Sequence, residues 1–181
     1  MTNPAAPIAR SGHSNAPQGT ERFHILIVLV EDRPGAVDRV VGVLRRRRAH
    51  TESLNLAQSG TSDIVRITAQ VKDSEVVIDH LVEQLRKVVD VREIVNLPAQ
   101  EAVTRELALI KVNAAERLPE IVQIAYHYNA YIVDAHAEAV TLEVSGDAEK
   151  LEQAIQALHP FGIREIARSG SVAIARSTTA V

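Results

Sequence analysis

Phe23-His-Ile-Leu-Ile-Val-Leu-Val30, followed by Glu31-Asp-Arg-Pro-Gly35 and Ala36-Val-Asp-Arg-Val-Val-Gly-Val-Leu44, decides how this chain folds. The first segment is apolar at nearly every position. A strand of that kind sits inside a sheet, buried on both faces. Glu31 to Gly35 then breaks the pattern with Pro and Gly, the residues that mark turns. From Ala36 onward, Val37, Val40, Val41, Val43 and Leu44 recur at helical spacing. The helix ends in Arg45-Arg-Arg-Arg48, and cations suit the negative end of a helix dipole.

Downstream, His50 to Gln58 and Asp63 to Val71 read as two strands joined by the turn Ser59-Gly-Thr-Ser62. Asp73-Ser74 is a capping signal for a helix carrying Val77, Ile78, Leu81, Val82, Leu85 and Val88 on one stripe. Val91 to Val95 is a short strand. The order is β-α-β-β-α-β. Pro98 to Ala102 interrupts, and the pattern then repeats. Glu106 to Asn113 is a strand, and Leu118, Ile121, Val122, Ala125 and Tyr126 form a helical stripe. Tyr131 to His136 and Ala139 to Val144 are strands, Asp147 to Leu158 is a helix, and Ile163 to Ala175 is a last strand broken near Gly170.

One topology thus occurs twice, with little sequence identity between the copies. The expected fold class is α+β, two tandem ferredoxin-like βαββαβ modules, each with its helices on one face of an antiparallel sheet. The expected organisation is a disordered tail at 1–20, a first module at 21–97, a linker at 98–104, a second module at 105–176 and a tail at 177–181. The first strand is apolar toward both faces, and helices can cover only one. The other face needs a further layer, or the sheet must extend into a partner, and a dimer is the expectation drawn from this.

Composition sets the outer bounds. Only 3% of the 181 residues are aromatic and none is Trp, so the core must be aliphatic. Small modules with such cores bury little surface per residue, which favours oligomers or a larger complex. A net charge of −3 gives no overall attraction to nucleic acid. The absence of Cys excludes disulfides, thiolate metal sites and a Cys nucleophile, and it suits a cytoplasmic setting. No apolar run approaches the ~20 residues of a membrane span, and the start of the chain has no apolar signal core. Neither a membrane nor a nucleic acid is expected as a partner.

The loop Asp32-Arg-Pro-Gly35 enters a helix N-terminus, where unpaired N–H groups and the dipole favour anions. Gly35 lets backbone approach a ligand, and Asp32 could take an ammonium group. The alternative is a plain tight turn with Asp32 as its cap. The arginine run reads as an anion site or as a solvated helix end facing an acidic partner. The seven His contain no HExxH or close HxH pair, so no metal site is expected. His50 is placed by its position after the helix as a candidate to share a cleft with Gly35, or as an interface histidine without a ligand. No GxSxG, P-loop or GxGxxG motif is present, and two small repeated modules favour binding or regulation over catalysis.

Ile25 to Leu44, with Glu52-Ser-Leu54, Gln84 to Val91, Arg105 to Val112, Ile132-Val-Asp134 and Ala167-Arg-Ser-Gly170, resembles the regulatory small subunit of acetolactate synthase. The resemblance covers about residues 24 to 176, and its first module looks like an ACT domain. It implies a non-catalytic subunit, without cofactors of its own. Its partner would be the large subunit, which carries thiamine diphosphate, FAD and Mg. It further implies a homodimer and feedback inhibition by valine or another branched-chain amino acid bound between two ACT domains. By position, the ligand-binding residues would be Asp32, Gly35, Ala36, Val37, His50 and Thr51. The family usually has Asn where Asp32 and His50 stand, and Arg48 replaces a turn glycine. An Asp opposite an effector's ammonium strengthens binding, whereas one near its carboxylate weakens it. The alternative is a stand-alone ACT-type amino-acid sensor acting on a different enzyme or regulator.

Overall fold

The computed structural model describes residues 20–46, 50–114 and 117–177. The first module runs β1 (Arg22–Glu31), α1 (Ala36–Arg46), β2 (His50–Gln58), β3 (Ile64–Asp73), α2 (Glu75–Arg86) and β4 (Val91–Pro98). The second runs β5 (Ala102–Asn113), α3 (Leu118–His127), β6 (Tyr131–His136), β7 (Ala139–Gly146), α4 (Ala148–Leu158), β8 (Ile163–Arg168) and β9 (Val172–Ala175). The strand orders are β2-β3-β1-β4 and β6-β7-β5-β8, with β9 added on β5. The α+β plan of two ferredoxin-like βαββαβ modules is what the patterning predicts.

Each module has its own aliphatic core. In the first, Leu26, Val28 and Val30 of β1 and Ile67, Ala69 and Val71 of β3 pack beneath Ala36, Val40 and Leu44 of α1 and Ile78, Leu81 and Leu85 of α2. In the second, Ala108, Ile110 and Val112 lie with Val140, Leu142 and Val144 under Ile121, Leu151, Ala154 and Leu158. Each fully buried Val, Leu or Ile contributes about 1.5–3 kcal/mol, so these faces hold the helices to the sheets. Asp147 caps α4 by accepting the Lys150 N–H at 2.9 Å.

Several boundaries differ from the sequence reading, each for a visible reason. Strand β3 starts at Ile64 rather than Asp63, because Asp63 takes φ 59° to close the hairpin. Asp enters that left-handed region more readily than most residues. Strand β5 starts at Ala102 rather than Glu106, because Ala102 to Arg105 pair with Ala175 to Val172. The segment read as a linker, 98–104, therefore contains the end of β4, a single 3₁₀ turn at Ala99–Glu101 and the first residues of β5. The last strand is two strands, β8 and β9, parted at Gly170 with φ 71°.

The second face of β1 is also covered from within the chain. Ile25 and Ile27 are buried against Leu97, Ala102 and Ala173. The β5–β9 ribbon thus supplies part of the further layer that the apolar first strand requires. That apolarity no longer argues for a dimer by itself. Thr20 apart, the tail expected at 1–20 lies outside the described residues, as do Arg47, Arg48 and residues 178–181.

Candidate functional site

The candidate site is built where β1 leaves the sheet. The Glu31 N–H donates to the Asp90 carbonyl at 2.9 Å, and the Asp32 N–H donates to the Asp63 carbonyl at 2.8 Å. The strand exit is thereby tied both to the turn before β4 and to the β2–β3 hairpin. Gly35 takes φ 77°, the left-handed conformation that lets the chain turn into α1. The Ala36 N–H then closes onto the Arg33 carbonyl at 3.0 Å and the Arg39 N–H onto the Gly35 carbonyl at 3.1 Å.

Several charges at this end of the sheet are paired. The Glu31 carboxylate is held by Arg33 at 2.7 Å and also by Arg92. Arg39 donates from Nε at 2.8 Å to Asp90 Oδ2, with Nη2 at 2.6 Å from the same oxygen. The Asp90 side chain is only 4% exposed. A buried carboxylate needs such a partner, and losing it leaves an uncompensated charge. Asp32 is exposed, and its Oδ2 accepts from Gln58 Nε2 at 2.9 Å. Glu31, Asp32, Arg33, Asp63 and Arg92 line one open depression. Acids and cations alternating around one concavity suit a small molecule carrying both an ammonium and a carboxylate.

Of the residues expected to bind a ligand, Asp32 lines the depression, and Gly35, Ala36 and Val37 follow it into α1. Ala36 is fully buried in the core and its N–H is already bonded, so it shapes the turn from beneath. Val37 packs partly against the same core. His50 and Thr51 lie elsewhere. His50 pairs with Lys72, which pairs with Phe23 at the start of β1, whereas Gln58 pairs with Val65, opposite Val30. At ~3.3 Å per residue, His50 is about 26 Å along the strand from Gln58. Within one chain His50 does not share a cleft with Gly35, because α1 returns the chain to the far end of the sheet before β2 begins.

Sequence reasoning missed Gln58, Arg39, Asp90 and Arg92. Gln58 could have been found, since the predicted hairpin ends beside the exit of the first strand. The Arg39–Asp90 pair spans two helices' worth of chain and leaves no local signal. Among the described residues no group of three His, Cys, Asp or Glu could hold a metal ion, and no helix is long and apolar enough to cross a membrane.

A β2-β3-β1-β4 sheet with a glycine turn feeding α1, followed by a second ferredoxin-like module, defines a two-module protein of the ACT type. Residues 26–93 match the family model described as the AHAS small subunit-like ACT domain, and residues 105–177 match that of the small subunit of acetolactate synthase. The chain belongs to the acetolactate synthase small-subunit family. It is 37% identical over 158 residues to a probable acetolactate synthase small subunit of Methanothermobacter thermautotrophicus, covering 86% of this chain and 94% of that one. It is 36% identical over 156 residues to the acetolactate synthase small subunit of Bacillus subtilis, covering 85% and 91% respectively. The crystal structure of the small subunit from Thermotoga maritima superposes with a TM-score of 0.82 at 31% identity, covering 87% of this chain and 99% of that chain.

Proposed function

We propose that this chain is the regulatory subunit of an acetolactate synthase. It binds the thiamine-diphosphate-dependent large subunit, which carries FAD and Mg as well, and raises its activity. It also makes that activity sensitive to a branched-chain amino acid, valine first among the candidates. The chain contributes no catalytic group and acts in the cytoplasm. The observation that carries the reading is the charged depression at Asp32, three residues before the Gly35 turn into α1, in a chain of this family.

The effector's ammonium would meet Asp32, and its carboxylate would face the helix N-terminus beside Gly35. A homodimer would complete the site. Strand β2 is an edge strand. Antiparallel pairing of β2 with β2 of a second copy, about a two-fold axis at the strand centre, would bring the second copy's His50 opposite Gln58 and its Thr51 opposite Ala57. Gln58 already touches Asp32. One edge pairing would thus unite the two residue sets that a single chain keeps apart.

The test is reconstitution with the cognate large subunit, measuring acetolactate formation with and without this chain and across a valine titration. A rise in activity and its reversal by valine are the expected results. No rise with the cognate large subunit would sink the activating role. No calorimetric binding of valine, leucine or isoleucine at millimolar concentration would sink the sensing role.

A further inference from the structure

Besides the β5–β9 ribbon against β1, the two modules meet through the short β8–β9 loop. Strand alternation puts Ser53 and Asn55 of β2, and Arg66 and Gln70 of β3, on the face away from the helices. The β8–β9 loop, Ser169-Gly170-Ser171, lies on that face. Asn55 Nδ2 donates to the Ser169 carbonyl at 3.2 Å, and the Ser171 N–H donates to Ser53 Oγ at 3.4 Å. The Ser171 hydroxyl donates to Gln70 Oε1 at 3.3 Å, and Arg66 donates to the Ala173 carbonyl at 2.7 Å. Ser171 is only 4% exposed. At Gly170, φ is 71° and an added Cβ would stand 3.4 Å from the Leu54 carbonyl oxygen, so backbone lies against backbone.

The same loop is fixed firmly to the second module. Ser169 exchanges bonds with Leu107, its N–H donating at 2.9 Å and its Oγ accepting at 3.0 Å. Arg168 binds Glu106 with two parallel bonds, at 2.7 and 2.8 Å, and Glu106 is 6% exposed. The hydrogen bonds that Arg168 donates to Glu106 raise the Arg168 pKa, so the guanidinium stays charged and the fork stays closed.

We propose that Ser169–Ser171 is the coupling joint that carries the state of the β2 edge into the second module. This rests on the reading that effector sites form along the β2 edge. The loop straddles two strands, bonded to β2 through Ser53 and Asn55 and to β3 through Gln70, while Arg66 of β3 holds the adjoining β9 at Ala173. A relative shift of β2 against β3 cannot preserve both sets. The register of that pair already breaks between Thr51 and Ser53, beside the loop's own contact. The bonds to Ser53 and Gln70, at 3.4 and 3.3 Å, exceed the usual lengths, and the one from Asn55, at 3.2 Å, sits at the upper edge of the range, so they exchange partners at little cost. The loop then moves with one strand and passes the motion to Arg168 and β8.

The test uses the full chain with its large subunit and the double variant Asn55→Ala/Ser171→Ala. Three quantities are read: valine binding by calorimetry, stimulation without valine, and residual activity at saturating valine. Valine affinity should change by no more than about twofold and stimulation should persist, while maximal inhibition falls by at least half. Hydrogen exchange gives a second readout. Valine should alter protection of the Leu107 and Ser169 amides in the wild type and not in the variant. Wild-type-like inhibition at saturation, or a valine-induced change that survives in the variant's amides, would overturn the joint. A variant whose inhibition is weakened only in proportion to its valine affinity would overturn it also. A wild-type chain that neither binds valine nor responds to it would overturn the regulatory reading, and the joint with it.

Discussion

Gly35→Ala isolates what the turn into α1 demands of the backbone. Gly35 sits at φ 77°, and an alanine there adopts the left-handed conformation at a cost of about 1–2 kcal/mol. A Cβ would also stand 3.2 Å from Arg39 Nη1. That atom is the far end of a flexible side chain and can give by a few tenths of an ångström while keeping its bonds to Asp90. The backbone term should therefore dominate, with a loss of about 1–2 kcal/mol in total. Urea denaturation followed by circular dichroism, at one fixed protein concentration, measures this loss. Gly35→Asn separates the two terms. Asn carries the same Cβ but enters the left-handed region more readily, so its loss should be smaller than that of Ala. A loss for Asn equal to or larger than that for Ala would mean that the Arg39 contact, not the backbone, sets the requirement. An Ala variant within about 0.3 kcal/mol of wild type would refute the strain argument altogether.

Other outcomes follow from the same geometry. Asp32→Asn should raise the valine dissociation constant about tenfold, the low end of what a charge-assisted hydrogen bond is worth; tighter calorimetric binding would place the carboxylate of the effector, not its ammonium, against Asp32. Leu56→Lys puts a charge on the exposed edge strand β2 and, if the proposed dimer pairs there, should shift the chain to monomer in sedimentation velocity and remove the concentration dependence of its melting temperature. Arg168→Leu leaves Glu106 buried without its partner and should cost about 2–3 kcal/mol by urea denaturation, less than a fully buried pair because the guanidinium is 39% exposed. The hydrogen bond from Arg117 lowers the Glu120 pKa, so the contribution of this pair is complete above the ordinary carboxylate range and is lost as pH falls through the lowered value. Carbon-13 NMR titration should show Glu120 returning to the ordinary range in Arg117→Ala.

The periodic elements were legible because each is set by local patterning. The apolar run at β1, the stripes on α1 and α2 and the hairpin at Ser59 all write their structure into neighbouring residues. The pairing of Ala102–Arg105 with Val172–Ala175 was not legible, since it joins segments distant in sequence and neither strand carries a mark of its partner. The joint at Ser169–Ser171 escaped for the same reason. Its Ser, Gly and Ser residues read locally as a turn, and their importance lies in Ser53, Asn55 and Gln70 across the module boundary.

The separation of His50 from Gly35 is a different case, because topology alone requires it. A helix that follows a strand and packs on its sheet must run back along it, so the next strand begins at the other end. The α1 helix spans 11 residues, a length of about 16 Å at 1.5 Å per residue, and β2 can only start beyond it. No side chain crosses the ~26 Å that remains between His50 and the Asp32 loop. If both residues serve one ligand, the second must come from another copy. Among the described strands of this module, β2 is the edge that carries His50 and ends beside Asp32. An antiparallel partner on that edge reverses the strand direction and supplies the missing end. Leu56→Lys should therefore weaken valine binding together with dimerisation, and a monomeric variant that binds valine at wild-type affinity would refute the shared site.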